Sequence, residues 1–358
     1  MKLKPEILNR GEAVSLALRE LYHSYGYRTY RMSKFEPYDL YAQNRSFVAG
    51  ENLLTFTDTN GRLMALKPDV TLSIIKHYRG GQQKVCYTES VYRDTGSARE
   101  FREILQTGLE CIGEVGLYEQ CEVLTLAAES LGRISDEFIL DVASVGLVAG
   151  LLAATDAGGE TKEALCGLVR EKNAHTVRSL CAARGIAQET ARVWEALASL
   201  YGGAQTLLPT LQGLCLNREM ERACGELSQL CSALGAGQKP VRVNIDCSII
   251  RDLRYYNGLV FKGYVPGVHD AILSGGRYDN LVKKLGKQAG AIGFAVYLDR
   301  LEELEGGERR PDADVLLCYG GAAPEAALEA ARALRAQGMS VRVQKAPDEG
   351  RYGRVIQL

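Results

Sequence analysis

The 358-residue sequence lacks several features that would assign it to a common class. It has no uninterrupted run of the roughly 18 apolar residues that a membrane-spanning helix requires, and its start, MKLKPEILNRGEA, is a mixed helical pattern rather than an apolar export signal. A cytoplasmic protein is the expectation. Excess positive charge is absent too: 43 basic against 44 acidic side chains give no field suited to gripping nucleic acid through its phosphates. There is no GxxxxGK[ST] or GxGxxG loop, and no GxSxG or HExxH motif. Phosphate-cradling, dinucleotide-binding and conventional hydrolase readings therefore have no foothold.

The ten cysteines contain no CxxC pair, and none is placed with a histidine at finger-like spacing. They read as buried or inert thiols. The four histidines are isolated from one another, so neither a metal nor a cofactor is expected. What the sequence does have is a 46% apolar content, enough for a substantial core in two or three domains.

Apolar residues at near-helical spacing from Glu12 to Tyr25, followed by Gly26 as a C-cap, predict a helix leading into the strand-like YRTYRM. Asn60-Gly61 between LLTFTDT and RLMAL predicts a tight hairpin with positive φ at its centre. Asp69, directly after Pro68, is placed to cap a short helix over residues 69 to 78. KVCYTESVYR and FREILQTGLECIG predict paired antiparallel strands joined by the loop DTGSARE. A helix over about 117 to 131 and a strand entering a helix in EFILDVASVGLVAGLL come next. Residues 156–237 then turn alanine- and leucine-rich, a helical insertion by pattern.

Strand-like sequence returns in VRVNIDCSII, RYYNGLVFKGYV and AILSGG. After a charged linker at 306–313, a strand, a helix and a strand follow in 314–358, too short a unit to bury much core alone. Runs of strands around a helical insertion predict an α+β fold on an antiparallel sheet flanked by helices.

Three segments place polar residues within apolar strands: LKPDVT, the VYR and FREILQTGLE pair, and IIRDLRYYNG. Buried charge is costly unless paired or bound to a ligand, which makes Arg93, Glu110 and Arg251 candidate site residues. An internal ion-pair network or a solvated face explains the same pattern without a ligand.

At these segments the chain resembles histidyl-tRNA synthetase, a class II aminoacyl-tRNA synthetase, over about residues 5 to 305. IIRDLRYYNGLVF is similar to the R-G-L-D-Y-Y-T-G signature and SGGRYDNL to G-G-R-Y-D; VYRDTGSAREFREILQTGLECIG resembles motif 2, and AIGFAVYLDRL motif 3. The resemblance implies a class II synthetase-like domain over 1–305 and a truncated anticodon-binding-like α/β unit over 314–358.

It also implies a histidine pocket. Asp69 and Thr71 would lie near the ammonium, Arg93 and Gln106 would line the pocket, and Glu110 and Tyr256, with Tyr255 beside it, would meet the imidazole. Arg251 matches the arginine used in substrate activation. The departures fall on the nucleotide side: the F-H-Q run of motif 2 reads Ile104-Leu105-Gln106, Asp299 precedes Arg300 in motif 3, Arg254 replaces an aspartate, and Ser33 stands where motif 1 has proline.

The same departures are similar to the regulatory subunits of short-form ATP phosphoribosyltransferase, whose R-P-D-x-T and R-x-E-L-L-Q-x-G-x-E-x-I-G patterns resemble LKPDVT and REILQTGLECIG. That resemblance implies a non-catalytic chain that pairs as a homodimer within a hetero-oligomer with the short catalytic subunit. It would sense L-histidine and have no tRNA or membrane partner. A synthetase still forming histidyl-adenylate, or a histidine-binding partner of another enzyme, are the alternatives.

Overall fold

The computed structural model describes residues 8–44, 52–94, 101–236, 240–250, 255–304 and 311–358. The chain divides into two compact units, Met1–Leu304 and Glu305–Leu358.

The first unit opens with α1 (Arg10–Ser24), whose start is a capping box: Glu12 N donates to Asn9 Oδ1 at 2.8 Å and Asn9 N donates back to the Glu12 carboxylate at 2.9 Å. Its stripe of Val14, Leu18, Leu21 and Tyr22 is buried, and Gly26 at φ +82° turns the chain beyond it. The strand expected in YRTYRM reduces to β1 (Arg28–Thr29). A small antiparallel sheet of β2 (Phe35–Pro37), β3 (Thr55–Thr57) and β4 (Leu63–Leu66) follows, with α2 (Tyr38–Ala42) between its first two strands. The β3–β4 turn is wider than the two-residue hairpin expected from Asn60-Gly61. The Asp58 carboxylate accepts from Asn60 N and Arg62 N, and that local competition for donors sets the loop.

α3 (Thr71–His77) is shorter than expected and its N-cap is Val70; Asp69, one residue earlier, still accepts from Leu72 N at 2.9 Å. β5 (Gln83–Asp94) and β6 (Phe101–Gly113) pair antiparallel over their whole length. Next come α4 (Leu117–Gly132), β7 (Ile139–Ser144) and α5 (Val145–Ala154).

The insertion contains α6 (Gly159–Arg170), α7 (Ala174–Ala183) and α8 (Gln188–Ser199), then β8 (Tyr201–Gly203), α9 (Ala204–Gln212) and α10 (Arg218–Gly235). It is not wholly helical: β8 pairs antiparallel with β9 (Asn244–Asp246), extending the main sheet. Three residues with two glycines are too short to show strand periodicity. VRVNIDCSII likewise yields only β9 and a 3-10 turn (Cys247–Ile249), because Asp246 accepts from Ser248 N and bends the chain. β10 (Leu259–Tyr264), β11 (Leu273–Arg277), α11 (Asp279–Lys284) and β12 (Gly290–Tyr297) complete the unit.

The main sheet has nine strands in the order β1-β5-β6-β12-β11-β10-β7-β9-β8. Its centre is antiparallel, while β1–β5 and β7–β9 run parallel near the edges, a mixed sheet where an antiparallel one was expected. Against one face α1 and α4 bury Leu18, Tyr22, Leu124, Leu126 and Leu131 with Leu109 and Phe294. The other face carries α3 and α11, with Leu72, Ile75, Tyr87, Tyr278 and Leu281 in a second cluster. No helix among the described residues is long and apolar enough to cross a membrane.

In the second unit β13 (Ala313–Cys318) begins within the span expected as linker, and α12 (Pro324–Ala336) leads to β14 (Val341–Gln344). A third strand, β15 (Tyr352–Gln357), exceeds the expected strand-helix-strand. All three strands are parallel, with β13 in the middle.

Candidate functional site

A chamber of about 210 Å³ opens on the face of the sheet that carries α3. Its floor is laid by register. Gln106, Gly108 and Glu110 share one face of β6, and opposite them on β12 stand Tyr297, Ala295 and Gly293. Ser274 of β11 pairs with Ala295, so small residues leave room above the centre of the sheet.

Of the residues picked out from sequence, Asp69, Thr71, Arg93, Gln106, Glu110, Tyr255 and Tyr256 all line this chamber. Arg251 and Arg254 lie outside the described residues. Tyr255 and Tyr256 precede β10 rather than standing on it, their rings 4.7 Å apart edge to face.

Glu110 is 2% exposed. Thr71 Oγ1 donates to its Oε1 at 2.7 Å, and the Tyr278 hydroxyl donates to its Oε2. Thr71 was expected beside the ligand's ammonium; here its hydroxyl also serves the carboxyl. Burial pushes Glu110 up to about 8, the two hydroxyl donors pull it down, and nearby Asp69 pushes it up again. Asp69 is raised by burial, against the pull of Arg93 and of the Leu72 and Thr71 amides. Arg93 Nε donates to the Pro68 carbonyl at 2.8 Å, which fixes the guanidinium beside the helix start. The Gln106 side chain is 2% exposed and its Nε2 has no hydrogen-bond partner among the described residues. A buried amide donor left this way is costly, and a ligand acceptor in the chamber would satisfy it.

Tyr278, Tyr87 and Tyr297 were missed from sequence although they line the chamber. The signal for Tyr278 was present in SGGRYDNL. Arg277 Nη2 pairs with Asp279 at 2.9 Å, Asp279 accepts from Ala291 N at 2.9 Å, and Tyr278 N donates to Ala291 O at 2.8 Å. The flanking residues thus pin the turn and leave the central tyrosine to reach Glu110. Burial raises the phenols of Tyr87, Tyr255, Tyr256 and Tyr278 above their usual range, so they act as neutral hydrogen-bonding groups.

A second chamber of about 290 Å³ shares Tyr256, Ser274, Gly275 and Tyr297 with the first and reaches Arg300. Arg300 is engaged there: it donates to the Ala271 carbonyl, pairs with Asp270 at 3.1 Å and lies 4.6 Å from the centre of the Tyr297 ring. Among the described residues no group of three or more His, Cys, Asp or Glu is arranged to hold a metal ion. All ten cysteines are free, and each is buried or half-buried.

The histidyl-tRNA synthetase family profile matches residues 2–301. The ATP phosphoribosyltransferase regulatory subunit of Caldanaerobacter subterraneus subsp. tengcongensis is 30% identical over 332 residues, which are 89% of this chain and 86% of that one. The fold is similar to that of an ATP phosphoribosyltransferase regulatory subunit/histidyl-tRNA synthetase from Bacillus halodurans C, at TM-score 0.80 and 24% identity over 100% of this chain and 96% of the other. It is also similar to a chain of the ATP phosphoribosyl transferase (HisG:HisZ) complex from Thermotoga maritima, at TM-score 0.62 and 20% identity over 81% of this chain and 97% of that one.

Proposed function

The chain belongs to the histidyl-tRNA synthetase family, among its ATP phosphoribosyltransferase regulatory subunits, and from that premise we propose that its chamber binds free L-histidine and relays occupancy to a short catalytic subunit. The chain's role is regulatory rather than catalytic, at the first step of histidine biosynthesis. The proposed setting is cytoplasmic, in a hetero-oligomer built on pairs of this chain.

One observation carries the ligand assignment: two buried carboxyls and one guanidinium converge on a chamber of about 210 Å³ beside Gln106 Nε2, which has no partner among the described residues. A zwitterion with a polar, basic ring uses each of these groups. Asp69 meets the ammonium, Arg93 meets the α-carboxylate, and Glu110 with Tyr256 meets the ring nitrogens. A purely apolar ligand would leave the Gln106 amide unsatisfied and would use none of the three charges. Feedback then needs only that histidine bind two quaternary states unequally, a coupling of typically about 1 to 3 kcal/mol.

The test is reconstitution with a short ATP phosphoribosyltransferase catalytic chain, following product formation against L-histidine. Catalysis that requires this chain, and that histidine modulates in the wild type but not in Glu110→Gln, is the expected outcome. Calorimetry without saturable histidine binding would remove the ligand assignment, and histidyl-adenylate formed on adding ATP would return the chain to synthetase chemistry.

A further inference from the structure

Resting on the histidine reading, the charge count of the chamber goes one step further. Among the described lining residues the carboxyls are Asp69 and Glu110, and the cation is Arg93. Arg93 acts on Asp69, and its Nε is occupied by the Pro68 carbonyl. Glu110 has a different setting: its oxygens accept from Thr71 beside Asp69 and from Tyr278 at the start of α11. Among the described residues the other polar side chains that line the chamber are Gln106 from β6, Ser274 from β11, and the phenols Tyr87 from β5, Tyr297 from β12, and Tyr255 and Tyr256 ahead of β10. Hydroxyls stabilise a carboxylate without neutralising it, and a buried carboxylate with no cation of its own ordinarily relieves the cost by taking a proton.

We propose that Glu110 carries a proton in the empty chamber and passes it to the imidazole of bound histidine, so that binding near neutral pH neither takes up nor releases a proton. The Glu110 O–H bond breaks, an N–H bond forms on the ring nitrogen, and the resulting carboxylate and imidazolium neutralise each other in place. This makes the chamber selective for a ring that can accept a proton. A ligand with a permanent cation must expel the Glu110 proton, and a ring without a basic nitrogen leaves that O–H without an acceptor.

The pH dependence follows from which species hold the proton beforehand. Burial pushes Glu110 up to about 8, and a free imidazole titrates near about 6.5. Between those values the protein supplies the proton and the ring is free to take it, so affinity is level. Below about 6.5 the ring must first shed its own proton, and above about 8 Glu110 must regain one; affinity falls about tenfold per pH unit on either side.

The experiment is calorimetric titration of the full chain with L-histidine at about pH 7.2 in two buffers of very different ionisation enthalpy, repeated from about pH 5.5 to about pH 9 and with Glu110→Gln. Equal binding heats in the two buffers, together with loss of the alkaline limb near pH 8 in the variant, are expected. Uptake or release of about one proton at pH 7.2, or an alkaline limb unchanged in Glu110→Gln, would overturn the proton transfer while leaving histidine binding intact. Absence of binding at every pH would overturn both.

Discussion

Gly293 of β12 stands directly opposite Glu110 of β6, and a Cβ added at Gly293 would overlap the Glu110 carboxyl. The missing side chain is what lets the carboxyl lie over the sheet and meet Thr71 and Tyr278. Gly293→Ala is therefore expected to displace Glu110 and to cost about 1–3 kcal/mol of stability through overpacking. Histidine binding should fall with it. Urea denaturation and calorimetry on the same preparation check both effects; unchanged affinity would mean that the Glu110 position does not matter to the ligand.

Tyr278 donates to Glu110 from inside the aromatic cluster, its ring 5.8 Å from that of Tyr255. Tyr278→Phe keeps the ring and removes one donor to a buried carboxyl, an interaction worth about 1–2 kcal/mol. A histidine affinity about five- to thirtyfold weaker is expected, with the fold retained. Near-ultraviolet circular dichroism confirms the fold, and calorimetry gives the affinity. Wild-type affinity in this variant would take Tyr278 out of the site.

How much of this was legible from sequence depends on how local the cause is. The apolar stripe of α1 and the glycine after it lie within one short segment, and β5 and β6 are long runs joined by one loop, so these elements were readable, although the Asn9–Glu12 cap was not foreseen. The chamber was readable where polar residues interrupt apolar strands, as at Arg93 and Glu110, while Gln106 entered only through the family resemblance. Tyr278 stands in the legible segment SGGRYDNL, but its partner was not legible, because register through β11 and β12 brings it to a carboxyl 168 residues away. β8 and β15 failed for the opposite reason. Their strand character is supplied by neighbours, β9 and β13, and not by their own periodicity.

Lys67, in the LKPDVT segment, is 0% exposed and pairs with Glu89 at 2.5 Å, joining the approach to α3 with β5. Burial lowers its pKa, and the hydrogen bond and charge of Glu89 raise it back. Breaking such a pair from one side is costly. Glu89→Gln is expected to destabilise the protein by about 3 kcal/mol, because the buried ammonium loses its counter-ion. The double variant Lys67→Met, Glu89→Leu should recover most of that loss. Denaturant midpoints for Lys67→Met, Glu89→Leu and the double variant decide it: additive losses would show that the two side chains act independently.

Asp141 of β7 is buried 4% exposed, next to Asp246 of β9, with Lys172 reaching Asp246 at 2.6 Å and Lys262 of β10 directly across the strand pair. Its Oδ1 has no hydrogen-bond partner among the described residues. Burial, then the charge of Asp246, push Asp141 up to about 6, against the pull of Asn244, Lys172 and Lys262. A raised carboxyl holds its proton more tightly in the folded protein than in the unfolded chain. Its contribution to stability is thus complete below the unfolded value of about 3.9 and is lost as pH rises through about 6. The rise to about 6 corresponds to roughly 3 kcal/mol. Asp141→Asn fixes the neutral form, so the variant should gain on the wild type between pH 4 and pH 7 and run parallel to it above. Asp141 and Asp246 do not line the chamber, so the same substitution should leave histidine affinity unchanged. Urea midpoints across the pH range test the first expectation; a difference between variant and wild type that does not vary with pH would mean that Asp141 is ionised throughout.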